Sequence, residues 1–187
     1  MKKDENGELV KAYPNAKIPQ YQTLKAAGAD FFCAEEVVIP SIWKNFWKIL
    51  DKDFRLNKFP LDSNIADDIN DVKVIDKLFS PTLVHTGIKS NMYEDEVLEL
   101  YNRSSNPKKL GLILANSVGV VDADYYGNPD NDGEIMFAFY NLKPWDVTLK
   151  VGDRIGQGVF KKFLRPEVGL DINNKAREGG FGSTNKN

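Results

Sequence analysis

Val97-Leu98-Glu99-Leu100-Tyr101 sets Leu98 and Leu100 two apart with Glu99 between them, and Leu110-Gly111-Leu112-Ile113-Leu114 follows it after the turn formers Asn106-Pro107. A period of two over five residues is the signature of a strand with one face buried. Downstream, Glu134-Ile135-Met136-Phe137-Ala138-Phe139-Tyr140 reads as a strand from its apolar and aromatic run, and Val147-Thr148-Leu149-Lys150-Val151 from its alternation. Gly127-Asn128-Pro129-Asp130 and Val151-Gly152-Asp153 mark turns. Short strands separated by turn residues at this spacing predict an all-β sandwich or barrel. Upstream, Ala27-Gly28-Ala29-Asp30 reads as a turn, and the run from Phe31 to Ile39 as a strand.

The pattern changes at Ser41. That residue is placed to cap a helix carrying Ile42, Trp43, Phe46, Trp47, Ile49, Leu50 and Phe54 at helical spacing. Ile65, Ile69, Val72, Ile75 and Leu78 continue it with three- and four-residue intervals. Residues 41–79 are therefore expected to form a helical hairpin inserted into a single β domain spanning 1–187. The stretch 177–187 has too few apolar side chains to pack as an element and is expected to be a mobile arm.

Composition narrows the function. With 187 residues, 42% of them hydrophobic, the chain can bury one sizeable core. A formal net charge of -2 leaves no basic surplus for a nucleic-acid backbone or an anionic membrane, so a phosphate-bearing ligand must be small and locally held. No run of about 18 apolar residues is present, and the start carries no apolar stretch of signal-peptide length, which reads as a soluble cytoplasmic protein. One cysteine, Cys33, and one histidine, His85, exclude an intrachain disulfide and a zinc site of several Cys or His ligands. A hard cation on oxygen ligands remains compatible.

Five segments carry the polar chemistry: Ala27-Gly28-Ala29-Asp30, Asn102-Arg103-Ser104-Ser105, Gly119 to Gly127, Gly152-Asp153-Arg154-Ile155-Gly156-Gln157, and Arg177-Glu178-Gly179-Gly180-Phe181-Gly182-Ser183-Thr184. Singly, each has a plain structural explanation. Asp30 fits a turn acid, Arg103 with two serines a surface loop, and Gly152-Asp153-Arg154 a hairpin turn with an ion pair of little energetic consequence. Asp122 and Asp124 flank a small residue, which in a strand puts both on one face, and such pairs are often merely solvated. The glycine-rich end fits a disordered tail.

In this order, the five segments resemble the motifs of the trimeric dUTPases, and the resemblance extends through Asn116-Ser117-Val118-Gly119-Val120-Val121-Asp122 and Tyr125-Tyr126-Gly127-Asn128-Pro129. It covers nearly the whole chain except the leader and 41–79, and it is nearest in appearance to members from Gram-positive bacteria and their phages. Departures are mild: Phe31 stands where Leu is usual, His85 where Pro often precedes Thr-Gly, and Asn185 where a last Gly is common. The resemblance implies a jelly-roll homotrimer that hydrolyses dUTP with Mg²⁺. It implies Asp122 as the residue that orients the attacking water and Asp30 as a water-mediated magnesium contact. Arg103, Ser104, Gln157 and Arg177 would meet the phosphates, with Ser105 as a weaker candidate. Asn116 would contact uracil and Tyr125 the deoxyribose. Phe181 would stack on the base, while Gly182, Ser183 and Thr184 approach the phosphates from an arm that reaches a neighbouring subunit. Asp153 and Arg154 are assigned to structure, His85 to a turn and Cys33 to the core.

Two other functions compete. A dCTP deaminase shares this fold and a similar Arg-Ser-Ser motif, but Asp122, Tyr125 and the Gly-Gly-Phe-Gly-Ser-Thr arm follow the hydrolase pattern. Alternatively, the chain is a phage regulatory protein that uses dUTP as a switch and 41–79 to bind a protein partner.

Overall fold

The computed structural model describes residues 2–3, 9–10, 13–44, 46–47 and 79–165. The described residues form strands β1 (Lys2–Lys3), β2 (Leu9–Val10), β3 (Ala29–Phe32), β4 (Val37–Ile39), β5 (Thr82–His85) and β6 (Glu96–Asn102), followed by β7 (Leu112–Leu114), β8 (Val118–Val121), β9 (Met136–Asn141), β10 (Val147–Leu149) and β11 (Arg154–Lys162). Their orders are β3-β11-β6-β8, β5-β9-β7, β10-β4 and β1-β2, and every pair is antiparallel. Non-consecutive strands lie side by side, so the chain crosses repeatedly between sheets, and the all-β jelly-roll class follows.

One core lies between the sheets, built from Phe31, Ile39, Leu98, Leu112, Phe137 and Ile155 with their neighbours. Strand β6 illustrates how the sequence sets it: Leu98 and Leu100 are buried while Glu99 and Tyr101 stand half-exposed on the opposite face. No helix among the described residues is long and apolar enough to cross a membrane.

Four expectations change. The run from Phe31 to Ile39 is two strands, because the chain switches sheets at Cys33–Glu36. Cys33 N–H donates to Asp153 O (2.8 Å) and Ala34 N–H to His85 O (2.9 Å), drawing the backbone off β3 and onto β4. Ala29 and Asp30 belong to β3 rather than to a turn; the reversal lies upstream, where Ala26 N–H reaches Thr23 O at 3.2 Å. Leu110 ends a single π-helical turn, Asn106–Leu110, which Gly111 terminates in the left-handed conformation at φ 67°. Asp122 and Asp124 do not share a strand face: β8 ends at Val121, and Ala123–Tyr125 is a 3₁₀ turn closed by Tyr125 N–H to Asp122 O at 3.1 Å.

The expected hairpin of 41–79 falls largely on residues 45 and 48–78, outside the described residues. Its entry is described. Residues 42–44 and 46–47 are helical, and Ser41 caps them by accepting the Trp43 N–H at 3.2 Å while donating to Lys143 O at 2.6 Å. The arm 177–187 also lies outside the described residues.

Candidate active site

Asp30 anchors one group of site residues. It sits in β3 directly opposite Gln157 of β11, and its side chain is 2% exposed. Gln157 Nε2 donates to Asp30 Oδ1 at 3.0 Å, and Arg154 Nη1 donates to Asp30 Oδ2 at 3.1 Å. Arg103 Nε lies 3.7 Å from Oδ1, and Arg103 Nη1 donates to the Arg154 carbonyl at 3.2 Å. Two arginines and an amide therefore converge on one buried carboxylate, the partnering that a buried charge requires.

The turn that delivers Arg103, Ser104 and Ser105 follows directly from β6. Asn106, 1% exposed, fastens it: its N–H donates to Arg103 O at 3.0 Å, and its amide donates to Ile155 O (2.7 Å) and Asn102 Oδ1 (2.8 Å). This tether was not legible beforehand, since Asn before Pro reads only as a turn former. Ser104 is exposed and Ser105 half-buried beside it.

Asn116, Asp122 and Tyr125 flank β8, Asn116 before its start at the Arg103 end and Asp122 and Tyr125 beyond its far end. Asn116 is exposed in the turn before the strand, its carbonyl accepting Val118 N–H at 2.6 Å, with Ser117 at φ 59°. Asp122 is half-buried at the strand's other end. Tyr125 is buried, and its hydroxyl accepts the Asn131 amide at 2.7 Å.

The register separates Asp122 from Arg103. Strand β8 runs with Val118 opposite Tyr101 and Val121 opposite Leu98, so Asp122 follows at the level of Val97, whereas Arg103 lies beyond the far end of β6. Six residues of strand at about 3.3 Å each put them roughly 20 Å apart within one chain. Arg177, Phe181, Gly182, Ser183 and Thr184 lie outside the described residues.

The water-mediated magnesium contact expected of Asp30 meets a carboxylate whose two oxygens already face Gln157, Arg103 and Arg154 and which is closed to solvent. Among the described residues no group of three or more His, Cys, Asp or Glu could hold a metal. The donors present do not fit a resident magnesium site. Elsewhere, His85 stacks on Tyr13 at 5.2 Å and pairs through Nδ1 with Glu134 at 3.1 Å; Glu134 also accepts Gly87 N–H at 2.9 Å, which ties the turn together. Cys33 is a core residue whose thiol is pushed up to about 11 by burial.

The dUTPase family model matches residues 70–185. A deoxyuridine 5'-triphosphate nucleotidohydrolase of Lactococcus lactis is 48% identical over 102 residues, 54% of this chain and 68% of that protein. The Wolinella succinogenes protein of the same name is 30% identical over 182 residues, 95% of this chain and 93% of its own length. The crystal structure of the dUTPase from Streptococcus mutans superposes with a TM-score of 0.61 at 34% identity, covering 86% of this chain and 98% of that one. A family match over most of the chain, carried by the segments that hold Arg103, Asp122 and Gln157, makes this protein a member of the dUTPase family.

Proposed function

We propose that the chain hydrolyses dUTP to dUMP and pyrophosphate, taking the magnesium complex of dUTP as substrate. A triphosphate repels nucleophiles, so the protein must neutralise its charge and place one water. Arg103, Ser104, Ser105 and Gln157 receive the phosphates from the Asp30 end of the sheet, and Arg177 adds a further cation from the arm. Asp122 orients a water towards the α-phosphorus. The water oxygen bonds to that phosphorus, the bond to the bridging oxygen breaks, pyrophosphate departs with that oxygen, and Asp122 accepts the water's proton. Asn116 and the backbone beside it read uracil, and Tyr125 lies against the deoxyribose. Phe181 covers the base while Gly182, Ser183 and Thr184 approach the phosphates, excluding water. Magnesium bound to the triphosphate would supply charge neutralisation there.

The observation that carries the reading is the gathering of Arg103 and Gln157 in one cluster, in a chain of this family, with Asp122 held about six strand residues away. That separation favours an assembly, a homotrimer on the family resemblance, in which one subunit's phosphate end meets another's Asp122. The test is pyrophosphate release from dUTP and the four dNTPs, with and without Mg²⁺, at protomer concentrations bracketing assembly. Release from dUTP alone supports the reading. Ammonia from dCTP would replace it with a deaminase.

A second role is favoured by the entry to 41–79. Trp43, Phe46, Trp47, Leu142 and Trp145 are exposed on a mount fixed by Ser41 N–H to Asp146 (3.0 Å) and Lys44 to Asp146 (2.8 Å). So much aromatic surface in one place suits contact with another protein. On this reading the insertion serves a regulatory partner.

A further inference from the structure

We infer that Asp30 is a positioning residue, a clamp that holds Arg103, Arg154 and Gln157 in the arrangement that receives a triphosphate, and not a contact for magnesium. The inference rests on the dUTPase reading for its ligand, and on geometry for the clamp itself. Each Asp30 oxygen faces a cationic or amide donor: Gln157 at 3.0 Å and Arg103 at 3.7 Å on Oδ1, Arg154 at 3.1 Å on Oδ2. The carboxylate is closed to solvent, its side chain 2% exposed, so a hydrated cation has no open path to it. Arginine side chains lose much rotamer freedom on ordering, and a carboxylate that fixes them before the ligand arrives removes that cost from binding. Arg154 completes the arrangement from the protein side, because its carbonyl accepts Arg103 Nη1 at 3.2 Å.

Two effects of removing the Asp30 charge oppose each other. Loss of a negative group near the phosphates strengthens their attraction to Arg103, whereas loss of the clamp lets Arg103 and Gln157 wander. A clamp requires the second effect to win. A magnesium contact makes a different prediction, because its loss matters only when magnesium is present.

The experiment measures the dissociation constant of a non-hydrolysable imido analogue of dUTP for the full chain, Asp30→Asn and Arg154→Lys, in Mg²⁺ and in EDTA. Both variants are expected to bind at least ten-fold more weakly in both media, with the ratio of the two constants unchanged from the parent. Arg154→Lys carries the test if Asp30→Asn does not fold. Tighter binding by either variant, or a loss confined to Mg²⁺, overturns the inference. A second readout needs neither nucleotide nor metal: hindered rotation of the Arg154 guanidinium, seen as split Nη signals in ¹⁵N NMR, is expected in the parent and absent from Asp30→Asn. Unsplit signals in the parent also overturn the clamp. Failure of the parent to bind the analogue while the signals are split would instead reject the dUTPase reading.

Discussion

Gly156 stands two residues beyond Arg154 and directly before Gln157, at the point where the β3–β11 register shifts. A Cβ built on it would lie 1.9 Å from Phe137 Cε1 and 2.6 Å from two further ring carbons. Carbon atoms in contact settle at about 3.5–4.0 Å, so the ring would have to retreat by roughly 1.5–2 Å. It has little room to do so, being fully buried between Phe31 (5.6 Å) and Phe139 (6.2 Å). Overpacking of this kind costs about 1–3 kcal/mol, and the tightness of the contact places Gly156→Ala near the top. Stiffening of the unfolded chain returns about 0.4–1 kcal/mol, leaving a net loss of about 2–2.6 kcal/mol. For a chain of this length that is a fall in Tm of roughly 5–10 °C. Urea unfolding at one fixed protomer concentration is the assay, since any assembly makes the midpoint concentration-dependent. Gly28→Ala is the control: its Cβ would meet Gln157 Cβ and Val159 Cγ2 at 3.3 Å, a contact that a small shift relieves, and the change should stay under about 1 kcal/mol. The backbone shift forced by Gly156→Ala should also move Gln157 off Asp30 and weaken nucleotide binding. A loss below about 0.5 kcal/mol, within the range of ordinary surface changes, would refute the claim that this glycine is set by the Phe137 ring.

Asp122→Asn keeps size and most hydrogen bonding but removes the charge that polarises water; turnover of dUTP should fall by two or more orders of magnitude with KM within about three-fold, and near-normal turnover would sink the assignment. A chain ending at Ala176 should keep its oligomeric state and its Tm while losing turnover, and a large drop in Tm would make the arm structural. The double variant Trp43→Ala with Trp47→Ala loses one hydrogen bond, Trp43 Nε1 to Leu142 O at 3.0 Å, and side chains that are 48% and 64% exposed. It should therefore cost about 1 kcal/mol, not the 3–5 expected of buried aromatics. A loss in the higher range, read by urea unfolding, would show that these rings are covered within the protein and are not a partner surface.

The strands that alternate were legible because burial of one face imposes a period of two. Val97 to Tyr101 falls wholly within β6, with Leu98 and Leu100 inward, as the pattern requires. Phe31 to Ile39 was not resolved into two strands because its two apolar stretches, Phe31 to Ala34 and Val37 to Ile39, are joined by Glu35-Glu36, which carries no Gly, Pro, Asn, Asp or Ser to mark a break. What breaks it is a pair of hydrogen bonds to Asp153 and His85, far along the chain, which no local window contains. The role of Asp30 was hidden for the same reason. An acid two places after a glycine reads as a turn, and the partners that identify it lie 124 and 127 residues away. Asp122 was legible as a residue but not in its conformation: the small Ala123 suited a strand equally well as the 3₁₀ turn that the chain adopts.

The separation of Asp122 from Arg103 along β6 also explains why one chain needs a carboxylate at each end of this sheet. A residue that must polarise water cannot be spent neutralising arginine, since a close guanidinium stabilises the carboxylate and lowers its basicity. Within one chain the two lie roughly 20 Å apart, more than twice the screening length of about 8 Å at physiological ionic strength, so Asp122 makes no pair with the Arg103 of its own chain. The charge that burial leaves in need of partners is Asp30, and Arg103 and Arg154, both partly exposed, supply them. On the proposed hydrolysis the two acids divide these tasks, Asp30 beside the cations of its own chain and Asp122 at the other end of the sheet. On the dUTPase reading, the two ends meet only across a subunit boundary, with a nucleotide between them. The charge of the triphosphate then takes up Arg103 and Gln157 at the moment that Asp122 is brought to the α-phosphorus, so the water-polarising carboxylate never competes with the substrate for the same donors.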